Sequence, residues 1–169
     1  DDNEAVIFCT GRKIPKNRFK QLYYIDNIKN IVQLNEKYKE SIQGKEPRLV
    51  LPFYDNNGQL SGVTCRALRG EALRYITVKV KEDVPLIFGI DSIDKLNPVY
   101  VVEGPIDSLF LPNSIAIGGT SFGKIHELDI EKERIIIVFD NQPRNKEVCK
   151  LIEKNIDKGR RLLINNKYF

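Results

Sequence analysis

A chain of 169 residues, 41% hydrophobic and 30% charged, can bury a core without disulfides, and its make-up is that of a globular protein rather than a disordered or fibrous one. The net charge of +4 permits an anionic partner without requiring one. Three scattered cysteines with no C-x-x-C pair argue against a zinc ribbon and fit a reducing cytosol, and the sequence shows no signal peptide and no apolar run long enough to span a bilayer.

Residues 1–47 are polar and read as a helical N-terminal segment. Pro15 suits the first turn of a short helix over "KNRFKQLYY". Ile28, Ile31, Val32 and Tyr38 recur at helical spacing in "IDNIKNIVQLNEKYKESIQ", and "QGKEP" reads as a linker. No methionine occurs, even at position 1, which points to a piece of a longer protein.

Residues 48–97 read as β-rich. "RLVLPFY" and "QLSGVTCRAL" flank Asn57-Gly58, a strong hairpin signal, and the alternating "LRYITVKV" predicts a third strand. Arg66, Arg69, Arg74, Lys79 and Lys81 recur here with Tyr75 among them. Such interleaving suits nucleotide or single-strand contacts, and equally a solvated strand face.

Residues 98–169 change character. "VYVVE", "SIAIG", "RIIIVFD" and "RRLLIN" are short apolar runs without polar alternation, separated by helical or turn-rich stretches. This is the pattern of a mostly parallel sheet covered on both faces, so the fold class is α/β, with an α+β lobe before it. The clearest helix is "PRNKEVCKLIEKNIDKG": Pro143 suits its first turn, Val148, Leu151, Ile152 and Ile156 form an apolar stripe, and Gly159 suits the position just past its end.

Two of these runs end on an acid, Glu103 and Asp140. Ligands of open α/β sheets bind outside the carboxyl ends of the strands, so neighbouring parallel strands would bring both acids to that rim. Paired carboxylates repel, and a hard cation such as Mg²⁺, with its preference for oxygen, relieves the repulsion. Asp107, four residues after Glu103, would return to the same rim on a first helical turn. The plainer alternative is that both acids cap the next helix. "IGGTSFGK" could offer backbone amides of Gly118, Gly119 and Thr120, with Lys124 close behind, to a phosphate; it lacks Walker A spacing and is equally an ordinary turn. His126, the only histidine, has no evident partner and reads as a surface helix residue, and no cysteine has the neighbours of a nucleophile.

"VVEGPIDSL", "AIGGTS" and "IIIVFDNQPRNKEVCKLIEK" together resemble the Toprim domain. The stretches "RLVLPFYDNNGQLSGVTCRAL", "LRYITVK" and "LIFGID" before it narrow the resemblance to the catalytic core of DnaG-type DNA primases, over about residues 47–164, most like those of T-even-type phages. "AVIFCTGRKIPKNRFKQLYYI" resembles the family's start more weakly, where a short helix precedes a Tyr- or Phe-containing strand. The resemblance implies a nucleotidyltransferase, a DNA-directed RNA polymerase that makes RNA primers from NTPs on a single-stranded DNA template. It implies Mg²⁺ or Mn²⁺ as cofactor, a replicative helicase bound through regions outside this chain, and a host-cytoplasmic location. It implies that Glu103 is the catalytic glutamate, that Asp140 opens the Asp-x-Asp metal motif, and that Arg66 and Arg74 face template or nucleotide. Gln142 stands where the second acid of that motif belongs, so an amide oxygen replaces a carboxylate. A Toprim nuclease and a non-catalytic DNA-binding module are the rival readings.

Overall fold

The computed structural model describes residues 2–118, 125, 126 and 128–165, and the chain divides into two compact units, 1–91 and 92–169. The first unit opens with helix α1 (Glu4–Gly11), whose N-terminus is capped by Asn3 accepting from the Ala5 amide. Strand β1 (Tyr23–Ile25) follows, then β2 (Arg48–Tyr54), β3 (Leu60–Ala67) and β4 (Tyr75–Lys79), which pair antiparallel in that order, and a short β5 (Ile87–Phe88).

The hairpin predicted at Asn57-Gly58 joins β2 to β3. Gly58 adopts φ 73°, open to glycine without strain, and the Asp55 carboxylate accepts from the amides of Asn57 and Gln59. One face of the sheet carries Val50, Val63, Cys65 and Val78 into a core with Ile28, Ile31 and Ile42. Each such aliphatic side chain contributes about 1.5–3 kcal/mol on burial. Arg48, only 1% exposed, is fully engaged within this sheet. Its Nε and Nη2 donate to Glu46 Oε1 at 3.2 and 2.7 Å, and its Nη1 donates to the carbonyls of Leu73 at 2.7 Å and Cys65 at 3.4 Å.

The helix predicted through Ile28–Tyr38 is instead two 3₁₀ pieces, Ile28–Leu34 and Glu36–Tyr38. Asn35 breaks it. In an extended conformation, φ −163°, it caps the second piece through the Lys37 amide and donates from Nδ2 to the Lys79 carbonyl at 2.8 Å, while the Lys79 amide donates to the Tyr38 hydroxyl. These contacts satisfy backbone groups of the edge strand β4, which a continuous helix would leave unpaired. The first segment is likewise not helical throughout, since Tyr23–Ile25 joins the sheet through antiparallel pairing with Arg48–Val50.

The second unit contains β6 (Val99–Val102), α2 (Pro105–Ser108), β7 (Ser114–Ile117), β8 (Ile135–Asp140), α3 (Lys146–Asp157) and β9 (Arg161–Asn165). The strands pair parallel in the order β7-β6-β8-β9, as the four apolar runs predicted. Helix α3 starts later than Pro143 suggests, because Asn145 caps it by accepting from the amides of Glu147 and Val148. At its other end the Gly159 amide donates to the Ile156 carbonyl and the Arg160 amide to the Asn155 carbonyl, a Schellman turn closed by Gly159 at φ 64°. Of α3 only Asn155 is buried; Val148, Leu151 and Ile152 of the predicted stripe are half-buried, and Ile156, predicted to belong to it, is exposed. Among the described residues no helix is long and apolar enough to cross a membrane.

Candidate active site

The carboxyl end of the parallel sheet gathers the predicted acids. Strand β6 pairs with β8 through Val99–Ile135, Tyr100–Ile136 and Val101–Ile137. Continuing that register sets Glu103, the residue after β6, level with Phe139 and one short of Asp140. Glu103, Asp107, Asp140 and Gln142 all line one cavity of about 500 Å³, whose other walls are apolar apart from Asn165 and include Phe110, Leu151 and Leu163. Asp107 reaches the rim because α2 turns at once after Gly104. A Cβ on Gly104 would lie 2.6 Å from Asp107 Oδ2, so the missing side chain leaves room for that carboxylate. The Asp107 and Ser108 amides donate back to the Gly104 carbonyl and hold the turn.

An all-oxygen donor set suits a hard divalent cation. Among the described residues no three of His, Cys, Asp or Glu converge into a ready-made cage. The arrangement therefore fits an ion held by one or two carboxylates that keeps its other positions for water or substrate phosphates, the habit of Mg²⁺. Gln142 is already occupied: its Oε1 accepts from Nδ2 of Asn145, the α3 cap, at 3.0 Å. That oxygen keeps a second lone pair for a cation. Gly118 lies exposed just past β7, at the same end of the sheet as Glu103; Gly119, Thr120 and Lys124 lie outside the described residues.

Basic residues of the first unit divide sharply. Arg66, on β3, is 9% exposed and sits between two rings, 5.7 Å from the Phe8 centroid and 5.0 Å from that of Tyr75, its cross-strand partner. Its Nε and Nη1 are buried with no hydrogen-bond partner. Burial pulls its pKa below the ordinary arginine value; Tyr75 opposes this, while Arg74 and Arg12 add to it. A guanidinium held by ring faces keeps its in-plane donors for something else. Three of the other predicted bases, Arg69, Lys79 and Lys81, are engaged within the chain. Arg69 is paired with Glu4, Nε to Oε2 at 2.6 Å, and Lys79 donates from Nζ to the Glu82 carbonyl at 2.8 Å. Lys81 donates to Asp55. Sequence reasoning missed Phe8 and Arg12, which stack 5.6 Å apart on and just after α1. That helix is apolar nearly all round and gives no periodic signal.

Compared with known proteins, the chain is 36% identical over 174 aligned residues to the DNA primase of Enterobacteria phage T4, covering 99% of this chain and 48% of that protein. This chain is a relative of the T4 DNA primase. Its fold is that of the DnaG-type primase core. The E. coli primase catalytic core superimposes with a TM-score of 0.68 at 17% identity, over 98% of this chain and 66% of that one. A DnaG primase catalytic domain bound to single-stranded DNA gives 0.65 at 17%, over 96% and 65%. No protein-family model matches the chain. The chain thus spans about half the length of the phage relative.

Proposed function

We propose that this chain is the polymerising core of a phage-type DNA primase, making short RNA primers from NTPs on single-stranded DNA. The 3′-hydroxyl of the growing primer attacks the α-phosphate of the incoming NTP, a P–O bond forms, and pyrophosphate leaves. Glu103 and Asp140, with Asp107 beside them and Gln142 as a neutral fourth oxygen, are the residues that would hold Mg²⁺ or Mn²⁺. When bound, the ion supplies charge neutralisation at the phosphate being transferred. Arg66 offers its unpaired donors to phosphate or base, Tyr75 and Phe8 keep its plane fixed, and Arg74 adds charge along the same strand pair. Gly118, and Gly119, Thr120 and Lys124 after it, are proposed to contact the triphosphate. Arg69 and Lys79 are proposed to act only after exchanging Glu4 and the Glu82 carbonyl for phosphate. The acids serve inside the host cytoplasm, with a replicative helicase engaged through other parts of the protein.

The observation that carries this reading is that the similarity to the T4 primase runs through both units, the arginine-bearing antiparallel one included. A simple hydrolase built on the acid rim alone needs no such unit. The test is primer synthesis by the complete protein from NTPs on single-stranded template with Mg²⁺. The Glu103→Gln variant is expected to lose synthesis by about two to three orders of magnitude, the scale of removing one key electrostatic group. Template cleavage without primer synthesis would assign the chain to the nucleases instead, and full activity of Glu103→Gln would leave a DNA-binding module.

A further inference from the structure

A second cavity lies at the other end of the β8–β9 pair. Ile135 opens β8 at its amino end and Arg160 immediately precedes β9, whereas Asp140 and Asn165 close the same strands at the acid rim. Six residues of strand separate the two ends by roughly 17 Å. The cavity encloses about 480 Å³. Ile125, Ile130 and Ile135 form its apolar floor, and His126, Lys132, Lys158 and Arg160 stand around it.

The cations are brought together by the fold rather than scattered. The Schellman turn at the end of α3 carries Lys158 and Arg160 on either side of Gly159, and a Cβ on Gly159 would stand 3.6 Å from Lys132 Nζ. Arg160 is further fixed by its side chain, since Nη1 donates at 2.6 Å to Oδ1 of Asn155, a buried amide that in turn donates to the Leu151 carbonyl. Among the described residues no carboxylate lines the cavity and none forms an ion pair with Lys132, Lys158 or Arg160. Two nearby acids are committed elsewhere, Glu131 to Arg134 and Asp129 to Lys95. Like charges held together without a counter-ion repel, and an anion with several negative oxygens offsets that cost.

We propose that this cavity is a metal-independent binding site for a polyphosphate anion, distinct from the acid rim. The anion is carried on a nucleotide whose base and sugar lie on the isoleucine floor, or is free pyrophosphate. The volume falls within the range of small-molecule pockets, and a floor of aliphatic side chains under a basic rim matches a ligand with one apolar and one anionic end. The assignment does not depend on the primase reading.

The test is calorimetric titration of the intact protein, in EDTA, with a non-hydrolysable ATP analogue and separately with pyrophosphate. EDTA keeps the acid rim repulsive to phosphate. Saturable binding is expected, weakened about tenfold or more in Lys132→Gln/Lys158→Gln. These two side chains are exposed, and an unchanged melting curve checks that the fold survives. Arg160→Lys, which keeps the charge but loses the fork held by Asn155, is expected to bind more weakly than wild type. Tighter binding of the analogue than of pyrophosphate assigns the nucleotide as ligand, and equal binding assigns the bare polyphosphate. The proposal is overturned by absence of saturable binding in EDTA, or by binding that the double variant retains and Arg66→Met abolishes.

Discussion

Arg48 and Arg66 stand on adjacent antiparallel strands, both almost wholly buried, and they live in opposite surroundings. Around Arg48 every nitrogen has an acceptor, one of them a carboxylate; around Arg66 there are ring faces, and two nitrogens have no acceptor at all. A buried cation with all its bonds made belongs to the fold. One whose donors are desolvated and unused costs the fold free energy, a cost that an acceptor on a ligand would offset. The difference also separates two kinds of aromatic neighbour, since the rings of Phe8 and Tyr75 hold Arg66 in place without consuming its donors.

The contrast breaks most easily at Arg48. Arg48→Met should destabilise the protein by about 3–5 kcal/mol, because the Glu46 carboxylate and the Leu73 and Cys65 carbonyls lose their shared donor. Denaturant unfolding reads this directly. Arg66→Met should change stability by no more than about 1 kcal/mol, since it removes donors that had no partner. The same variant should weaken single-stranded DNA or NTP binding by about tenfold or more, measured by fluorescence anisotropy. Equal losses of stability from the two variants would erase the distinction.

Acid sharpens the same comparison. The hydrogen bond from Arg48 holds the Glu46 carboxyl below its ordinary value of 4.5. A depressed carboxylate contributes stability above its unfolded value and surrenders it as pH falls below that. Thermal melts should therefore drop between about pH 4.5 and the lower folded-state value, and the drop should shrink in Arg48→Met but persist in Arg66→Met. The smallest expected effect is at Tyr75. Replacing it with leucine removes one face of the stack around Arg66 and should weaken nucleic-acid binding by only about two- to fivefold, the scale of one exposed cation–π contact.

Much of this was legible in the chain. Apolar runs without alternation gave parallel strands, Asn57-Gly58 gave the hairpin, and the acids ending two runs share a cavity because parallel neighbours put equivalent ends together. What escaped reading depended on partners distant in sequence. The 3₁₀ break at Asn35 exists to satisfy Lys79, forty-four residues away, and a helical spacing of isoleucines cannot foretell that demand. The stack on Arg66 needs Phe8, from a helix with no polar face to orient it. Arg48 and Arg66 look alike as letters; only the acceptors folded around them tell them apart.

Strand β6, which carries Glu103 at its end, is flanked by β7 on one side and β8 on the other, and Val99 and Val101 within it are fully buried. Its amides should exchange with solvent only when the whole unit opens, whereas those of the edge strand β9 exchange through local fraying. The glutamate thus hangs from the slowest-breathing part of the sheet, and its position drifts least during the brief openings that loosen everything around it.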